Sequence, residues 1–453
     1  MNRRQLLGSA AATLVLASRA AGAVRARRKP NFIVVLCDDL GFGDVGFNGG
    51  SIPTPNIDRL AREGLRLENY YAPANLCTPS RAGFLTGRYP VRTGLGWAVI
   101  GPNDDRGLPL GEQTIANALE GYASALVGKW HLGHVAPYWP PTKHGFDLFY
   151  GIPYSHDMDP LALYEARATS TEVKSQPVDL PVLQQQFYAA AERFIDENRT
   201  RPFFLELALS APHLPNKSPP PFDGASPLGP YADTVMEIDS IIGRLLAKLK
   251  SAGIDEDTLV VLTSDNGAWF EGSSGPLRDR KGGAAYDGAA RVPCVVRQPG
   301  VIPANRRAEA ITCGIDWLPT FCALSGSGNP PGVELDGRDI SAVLTQGAAS
   351  PHEEILLFDD ENVVGLRTQR FKYVQSGYWR GGLMNFQDKG YDELYDLTLD
   401  PGENYSVSER HPDVVAQMRA RLEQAQQRFA PFRHAGRPPY GTGLRPRHDQ
   451  RID

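Results

Sequence analysis

Cysteine is scarce in this 453-residue chain: five residues, at 37, 77, 294, 313 and 322, an odd and scattered set. That excludes the disulfide framework of a stapled secreted scaffold. Cys313 and Cys322 are near enough in sequence to pair, but two buried thiols is the simpler reading. Excess positive charge is lacking too. With 47 Lys and Arg against 52 Asp and Glu, the formal net charge is −5, so no basic field is available for nucleic acid. Beyond the first residues there is no long uncharged apolar run, which excludes a helical membrane span and implies a soluble mature protein. Histidines, nine in all, are too few and wrongly spaced for a two-zinc phosphatase. The length allows one large domain plus a smaller one, with ample core.

The first residues carry the signs of a targeting segment. Arg3-Arg4-Gln5-Leu6-Leu7 opens a charged n-region, an Ala-rich and moderately apolar stretch follows, and Ala21-Gly22-Ala23 forms an A-x-A cleavage site. Residues 1–23 are therefore read as an export signal peptide and excluded from the fold. The paired arginines point to twin-arginine export into the periplasm or the medium, with an ordinary Sec signal as the alternative.

Several apolar, β-rich runs stop abruptly at polar residues. Residues 32–36 run into Cys37-Asp38-Asp39, and 123–127 into Gly128-Lys129-Trp130-His131. Residues 203–209 lead to Pro212-His213, and 259–262 to Ser264-Asp265-Asn266-Gly267. Near-continuous hydrophobic runs of this length are buried parallel strands. Between them lie amphipathic stretches; over 231–250, Val235, Ile238, Ile242, Leu245 and Leu249 mark one helical face. The pattern predicts an α/β fold over 24–350, a large mainly parallel sheet flanked by helices, with ligands beyond the carboxyl ends of its strands. Proline-rich segments at 138–142 and 214–230 read as loops around a site mouth. After about residue 350 the character changes. Strands over 363–374 and 391–397 and a helix over 414–429 predict a smaller α+β subdomain, 351–432. The tail, 433–453, rich in Arg, Pro and Gly, is expected to be flexible.

The most informative run is Cys77-Thr78-Pro79-Ser80-Arg81, continuing to Leu85-Thr86-Gly87-Arg88. Thr78 suits an N-cap and Pro79 the first helical position, so a helix is expected to start here. Residue 77 then sits at the positive end of that helix, with Arg81 one turn onward and able to point back. A capped helix carrying a buried cysteine explains the run as well. Asp38, Asp39, Asp265 and Asn266 crowd oxygen donors onto two strand ends. Such crowding calls for a hard cation, Ca²⁺ rather than zinc; the competing reading is a helix cap and a tight turn. Lys129 and His131 at i and i+2 face the same way in an extended segment and suit an anion and a proton. His213 and Lys281 stand in loops, where a solvated side chain is the default.

These residues, in this order and spacing, resemble a type I sulfatase of the alkaline phosphatase superfamily over nearly all of the mature chain. The resemblance rests on Cys77 to Arg81, Asp38-Asp39-Leu40-Gly41, Gly128-Lys129-Trp130-His131-Leu132-Gly133, Pro212-His213 and Ser264-Asp265-Asn266-Gly267. Lys281-Gly282 with Arg291-Val292-Pro293 adds to it, as do Leu394-Tyr395-Asp396-Leu397 and Asp400-Pro401-Gly402-Glu403. Gly151-Ile152-Pro153-Tyr154-Ser155-His156-Asp157 is similar to the arylsulfatase A branch. The resemblance implies that a maturation enzyme oxidises Cys77 to formylglycine, whose hydrated aldehyde attacks sulfur to give a sulfo-enzyme intermediate. It implies that Asp38, Asp39, Asp265, Asn266 and residue 77 hold Ca²⁺. Lys129, Ser155, His213 and Lys281 would bind sulfate, His213 or Lys281 would protonate the departing alcohol, and His131 would take a proton from the diol. Arg81 would orient residue 77. One departure stands out: relatives have Gly-Lys-Gly-x-x-x-Glu-Gly-Gly where this chain has Asp287 in place of the glutamate, and a modest local change is expected.

Two rivals remain. A formylglycine-dependent phosphodiesterase or phosphonate monoester hydrolase would use the same headgroup geometry, and a catalytically silent binder of sulfated glycans would leave Cys77 unoxidised. For the organic part of the substrate the lean is to a carbohydrate sulfate over an aryl sulfate. Trp97, Tyr138, Trp139 and Trp269 are candidates to stack on a ring, with plain packing as their default reading.

Overall fold

The computed structural model describes residues 28–379, 382–434 and 445–446. The expected export segment and nearly all of the expected tail lie outside them. Asn31–Asp38 (β1) carries Phe, Ile, Val, Val and Leu in succession and is buried along its whole length. A strand apolar on both faces belongs in the middle of a sheet covered on both sides. The strands that follow are Leu65–Tyr71 (β2), Ala123–Lys129 (β3), Leu148–Ile152 (β4), Ala162–Arg167 (β5), Val173–Pro177 (β6), Phe203–Pro212 (β7), Thr258–Ser264 (β8), Val295–Arg297 (β9) and Arg306–Cys313 (β10). They form one ten-stranded sheet in the order β10-β2-β9-β8-β1-β7-β3-β4-β5-β6. The middle block, β8-β1-β7-β3-β4, is parallel throughout. Only β9 and β5, each one or two places in from an edge, run against this direction, while β2, β10 and β6 run with it, so the sheet is mainly parallel.

Helices cover both faces: Pro55–Glu63 (α1), Cys77–Thr86 (α2), Leu183–Asn198 (α3), Pro230–Ser251 (α4) and Trp317–Ser325 (α5). The pleat sorts β1 between them. Ile33 and Val35 pack with α1, α3 and α4; Phe32, Val34 and Leu36 pack on the other side with α2 and α5. On α4 the predicted stripe of Val235, Ile238, Ile242, Leu245 and Leu249 is wholly buried. No helix among the described residues is long and apolar enough to cross a membrane. All five cysteines are buried and unpaired, so Cys313 and Cys322 form no bond.

The second sheet holds Ile355–Asp359 (β11), Asn362–Arg367 (β12), Phe371–Val374 (β13) and, after the hairpin Ser376–Trp379 (β14) and Gly382–Asn385 (β15), Glu393–Asp396 (β16). Pro412–Phe429 (α6) packs on it through Val415, Met418, Leu422 and Phe429. The strand expected over 363–374 is two strands, and β11 was not expected. The break falls at 368–370, where Thr368 Oγ1 donates to Phe371 O and accepts from Phe371 N, both at 3.0 Å. A threonine closing its own turn leaves none of the glycine, proline or asparagine that marks most turns.

Candidate active site

Five parallel strand ends meet at one edge of the sheet. β1 delivers Asp38 and Asp39, β8 delivers Asp265 and Asn266, β7 His213, β3 Lys129 and His131, and β4 Ser155. Ligand places in open α/β sheets lie at this carboxyl edge. Close approach of the strands is allowed by Gly128, at φ 124°, where a Cβ would stand 1.8 Å from Ala208 O. Asp39 itself takes φ 68°, a left-handed turn at the end of β1.

Ligand atoms of Asp38, Asp39, Cys77 and Asp265 lie within 4.8 Å of one another, and all four residues are buried. Asn266 Nδ2 donates to Asp39 Oδ1 at 2.6 Å, while its Oδ1 is buried without a partner. Three buried carboxylates and an orphaned amide oxygen fit a hard divalent cation such as Ca²⁺.

Cys77 opens α2. The helix begins at Cys77 itself, with Leu76 before it, so Thr78 is not the N-cap that the sequence suggested. Its hydroxyl instead donates to His131 O at 2.9 Å and accepts from Ile100 N at 3.0 Å. The Cys77 Sγ donates to Asp38 Oδ1 at 3.4 Å. Arg81 points back as expected. Its Nε and Nη2 reach Asp265 Oδ2 at 2.9 and 2.8 Å, and Nη1 donates to Lys129 O at 2.9 Å.

Two lysines close on the carboxylates: Lys129 Nζ to Asp38 Oδ2 at 2.6 Å, and Lys281 Nζ to Asp39 Oδ2 at 2.8 Å. His213 Nδ1 meets Leu214 O at 2.7 Å, and Nε2 stands 3.7 Å from Asp39 Oδ2. The Ser155 hydroxyl is buried and unpartnered. Simple i, i+2 alternation does not place His131, because that residue takes φ 61°. Its Nε2 meets Ile100 O at 2.9 Å, leaving a buried, unpaired Nδ1.

Burial opposes the charge on Asp38, but Lys129, His213, Arg81 and Lys281 outweigh it and hold the carboxyl well below the usual range. At Asp265 burial prevails over Arg81, and the carboxyl is pushed up. Burial also pushes the Cys77 thiol up despite Lys129 and Lys281, so the bare thiol stays protonated at neutral pH and is a poor nucleophile. Burial, aided by Lys129 and Arg81, drives His131 well below its ordinary value and keeps it neutral.

The four aromatic candidates separate. Trp139 packs edge-on against Phe149 and Tyr164, and Tyr138 lies against Gly107. Trp97 lies under the Arg106 guanidinium, 3.9 Å from its ring centroid. Trp269 stands beside the site, its ring 5.7 Å from Lys281 Nζ and edge-on to the exposed Phe270.

Two buried acids lie near the site: Asp287, which the sequence marks only as a departure, and Glu206. Asp287 is fully buried and accepts from Tyr71 Oη at 2.6 Å and from Lys372 and Arg291. Glu206 sits midway along β7, in register with Val34 and Leu126, where its charge interrupts an apolar run. Burial, against Arg81, pushes Glu206 up to about 7. A folded value above the unfolded one contributes stability at acid pH that is lost as pH rises through it. Glu206→Gln should therefore melt near wild type at about pH 4.5 and progressively above it up to about pH 7, by several degrees. Melting curves showing a constant gap across that window would rule out titration of Glu206.

The sequence matches the sulfatase family over residues 30–327 and the C-terminal part of N-sulphoglucosamine sulphohydrolase over 281–428. Bovine (Bos taurus) arylsulfatase A is 35% identical over 93% of this chain and 91% of its own length. For human (Homo sapiens) arylsulfatase A the identity is 37%, over 87% and 86%. The crystal structure of PsFucS1 sulfatase from Pseudoalteromonas sp. superposes with a TM-score of 0.82 at 28% identity, covering 96% of each chain. The chain belongs to the sulfatase family, and it is a sulfuric ester hydrolase of the type I, arylsulfatase A-like branch.

Proposed function

We propose that the protein hydrolyses sulfate esters, carbohydrate sulfates above all, by the formylglycine route and releases inorganic sulfate. The observation that carries this reading is the placement of Cys77 among Asp38, Asp39 and Asp265 with two buried lysines and His213 around them. Oxidised to formylglycine, residue 77 would supply a hydrated aldehyde as nucleophile, and Ca²⁺ held with Asp38, Asp39, Asp265 and Asn266 would neutralise charge. Lys129, Lys281 and Ser155 would bind the sulfuryl oxygens. His213 has its Nδ1–H committed to Leu214 O, which leaves Nε2 to carry the proton that the departing alcohol takes. His131 has Nε2–H committed to Ile100 O and an unpaired Nδ1, the arrangement of a base. Arg81 fixes Asp265 and the Lys129 backbone.

The lean to sugars draws on relatives such as canine N-acetylgalactosamine-6-sulfatase, 32% identical over 88% of this chain, and on the half-exposed Trp269. Export by the twin-arginine route, supported by Arg3-Arg4 and Ala21-Gly22-Ala23, would bring a folded protein with its aldehyde made by a cytoplasmic maturation enzyme. The test is a mass spectrum of the tryptic peptide 67–81 from the native host, with rates on an aryl sulfate and an aryl phosphodiester. Formylglycine at 77 and faster sulfate release are expected. Faster phosphodiester cleavage would reassign the enzyme to phosphodiesterases. An alkylatable cysteine without turnover would leave a glycan binder.

A further inference from the structure

His156 follows Ser155 on the loop beyond β4, and it is only 7% exposed. Neither of its ring nitrogens has a partner. A buried polar atom left without a hydrogen bond is costly, so an imidazole with two such atoms needs a reason. Four other histidines each commit a nitrogen to a carbonyl: His131 to Ile100, His134 to Pro102, His144 to Tyr138 and His213 to Leu214. His156 does not.

Its position says what the partner is. The ring stands edge-on to His213 with centroids 5.8 Å apart, and Asp38 and Lys129 lie close enough to act on its charge. Those three belong to the headgroup end of the site. The aromatic Trp269 lies at the mouth, beside Lys281. Ser155 Oγ, one residue away, is also buried and unpaired. Three unpaired polar atoms on two consecutive residues therefore border the space in which the sulfate oxygens would sit.

We propose that His156 is a substrate-contacting residue, its ring N–H donating to a sulfuryl oxygen beside Ser155. The inference rests on the sulfatase reading and deepens it. Burial and the neighbouring His213 hold His156 down to about 4, so the ring is neutral near pH 7 and offers one donor. A neutral donor adds a directed hydrogen bond to an anion without placing another full charge next to Lys129. The bond strengthens as negative charge gathers on the sulfuryl oxygens, which is where binding assists the reaction.

The test uses the matured full-length enzyme, with inorganic sulfate as product inhibitor and two substrates, phenyl sulfate and a sulfated monosaccharide. His156→Ala should lower kcat/KM on both substrates by roughly ten- to hundred-fold and weaken sulfate inhibition to a similar extent. His156→Asn, which keeps a donor and guards against a folding failure, should recover part of both. Unchanged sulfate inhibition in a folded variant would overturn the contact, whether activity holds, falls on the sugar alone, or only shifts its pH profile through His213. Absence of sulfate release by the wild-type protein would instead sink the sulfatase reading itself.

Discussion

Cys77→Ala should abolish sulfate release, lowering kcat/KM on the order of 10⁴-fold or more, while the protein stays folded. Removal of a nucleophile leaves only what binding and charge stabilisation supply. The Cys77 Sγ at the helix start touches the acidic cluster, 3.4 Å from Asp38 Oδ1. The neighbouring Thr78 hydroxyl cannot substitute, because it is spent between His131 O and Ile100 N. Loss of one buried sulfur should cost only about 1 kcal/mol of stability, so activity and melting temperature separate cleanly. Ser155→Ala provides the scale for a binding group alone, a loss of about tenfold. If Cys77→Ala kept activity within that scale, residue 77 would not be the nucleophile. Chemistry through a different group would then have to explain the cluster. A variant that bound sulfated sugars as tightly as wild type without turning them over would fit the nucleophile reading.

What the sequence made legible was what is encoded locally. β1, β3, β7 and β8 announce themselves as apolar runs, because strands buried on both faces need no polar alternation. Their abrupt polar ends then place Asp38, Lys129, His213 and Asp265 at one edge. The α4 stripe is legible for the same reason, with every residue of its period facing the core. Features that depend on distant partners were not legible. Thr78 reads as a cap until His131 O arrives from 53 residues away. The left-handed backbone at His131 has no glycine to signal it. The break between β12 and β13 lacks punctuation, since Thr368 builds that turn from its own hydroxyl. Glu206 was visible as an anomaly, a charge inside an apolar run, yet its meaning depends on Arg81 behind it. His156 was in plain view next to Ser155, but only burial without partners sets it apart.

Asp287 shows the same limit with larger energetic consequences, and Lys372→Met is expected to destabilise the protein by about 3–5 kcal/mol, the cost of removing one partner from a buried ion pair. Lys372, Asp287 and Glu403 come from β13, from the loop after Lys281 and from the turn after β16, and none is exposed. Lys372 Nζ pairs with Asp287 and, at 2.8 Å, with Glu403, and also donates to Ala285 O at 3.0 Å. Glu403 Oε2 accepts from Asp287 N at 2.7 Å. Against burial, Lys372, Arg291 and Arg367 hold Asp287 below the usual carboxylate range; burial, against Lys372, pushes Glu403 up to about 7. Asp287 is met by a lysine from β13 and by a glutamate from the turn after β16. The cluster is thus a joint between two parts of the chain. Without the lysine, two carboxylates face each other in a dry space, and the melting temperature should fall by on the order of 10 °C. Adding Glu403→Gln should restore part of it, because one uncompensated charge then disappears. Activity should fall with stability, since Lys281, six positions before Asp287 and 2.8 Å from Asp39, depends on that loop for its aim. A melting temperature within a degree of wild type would mean that Asp287 and Glu403 share a proton without help, and the joint would be held by its apolar contacts alone.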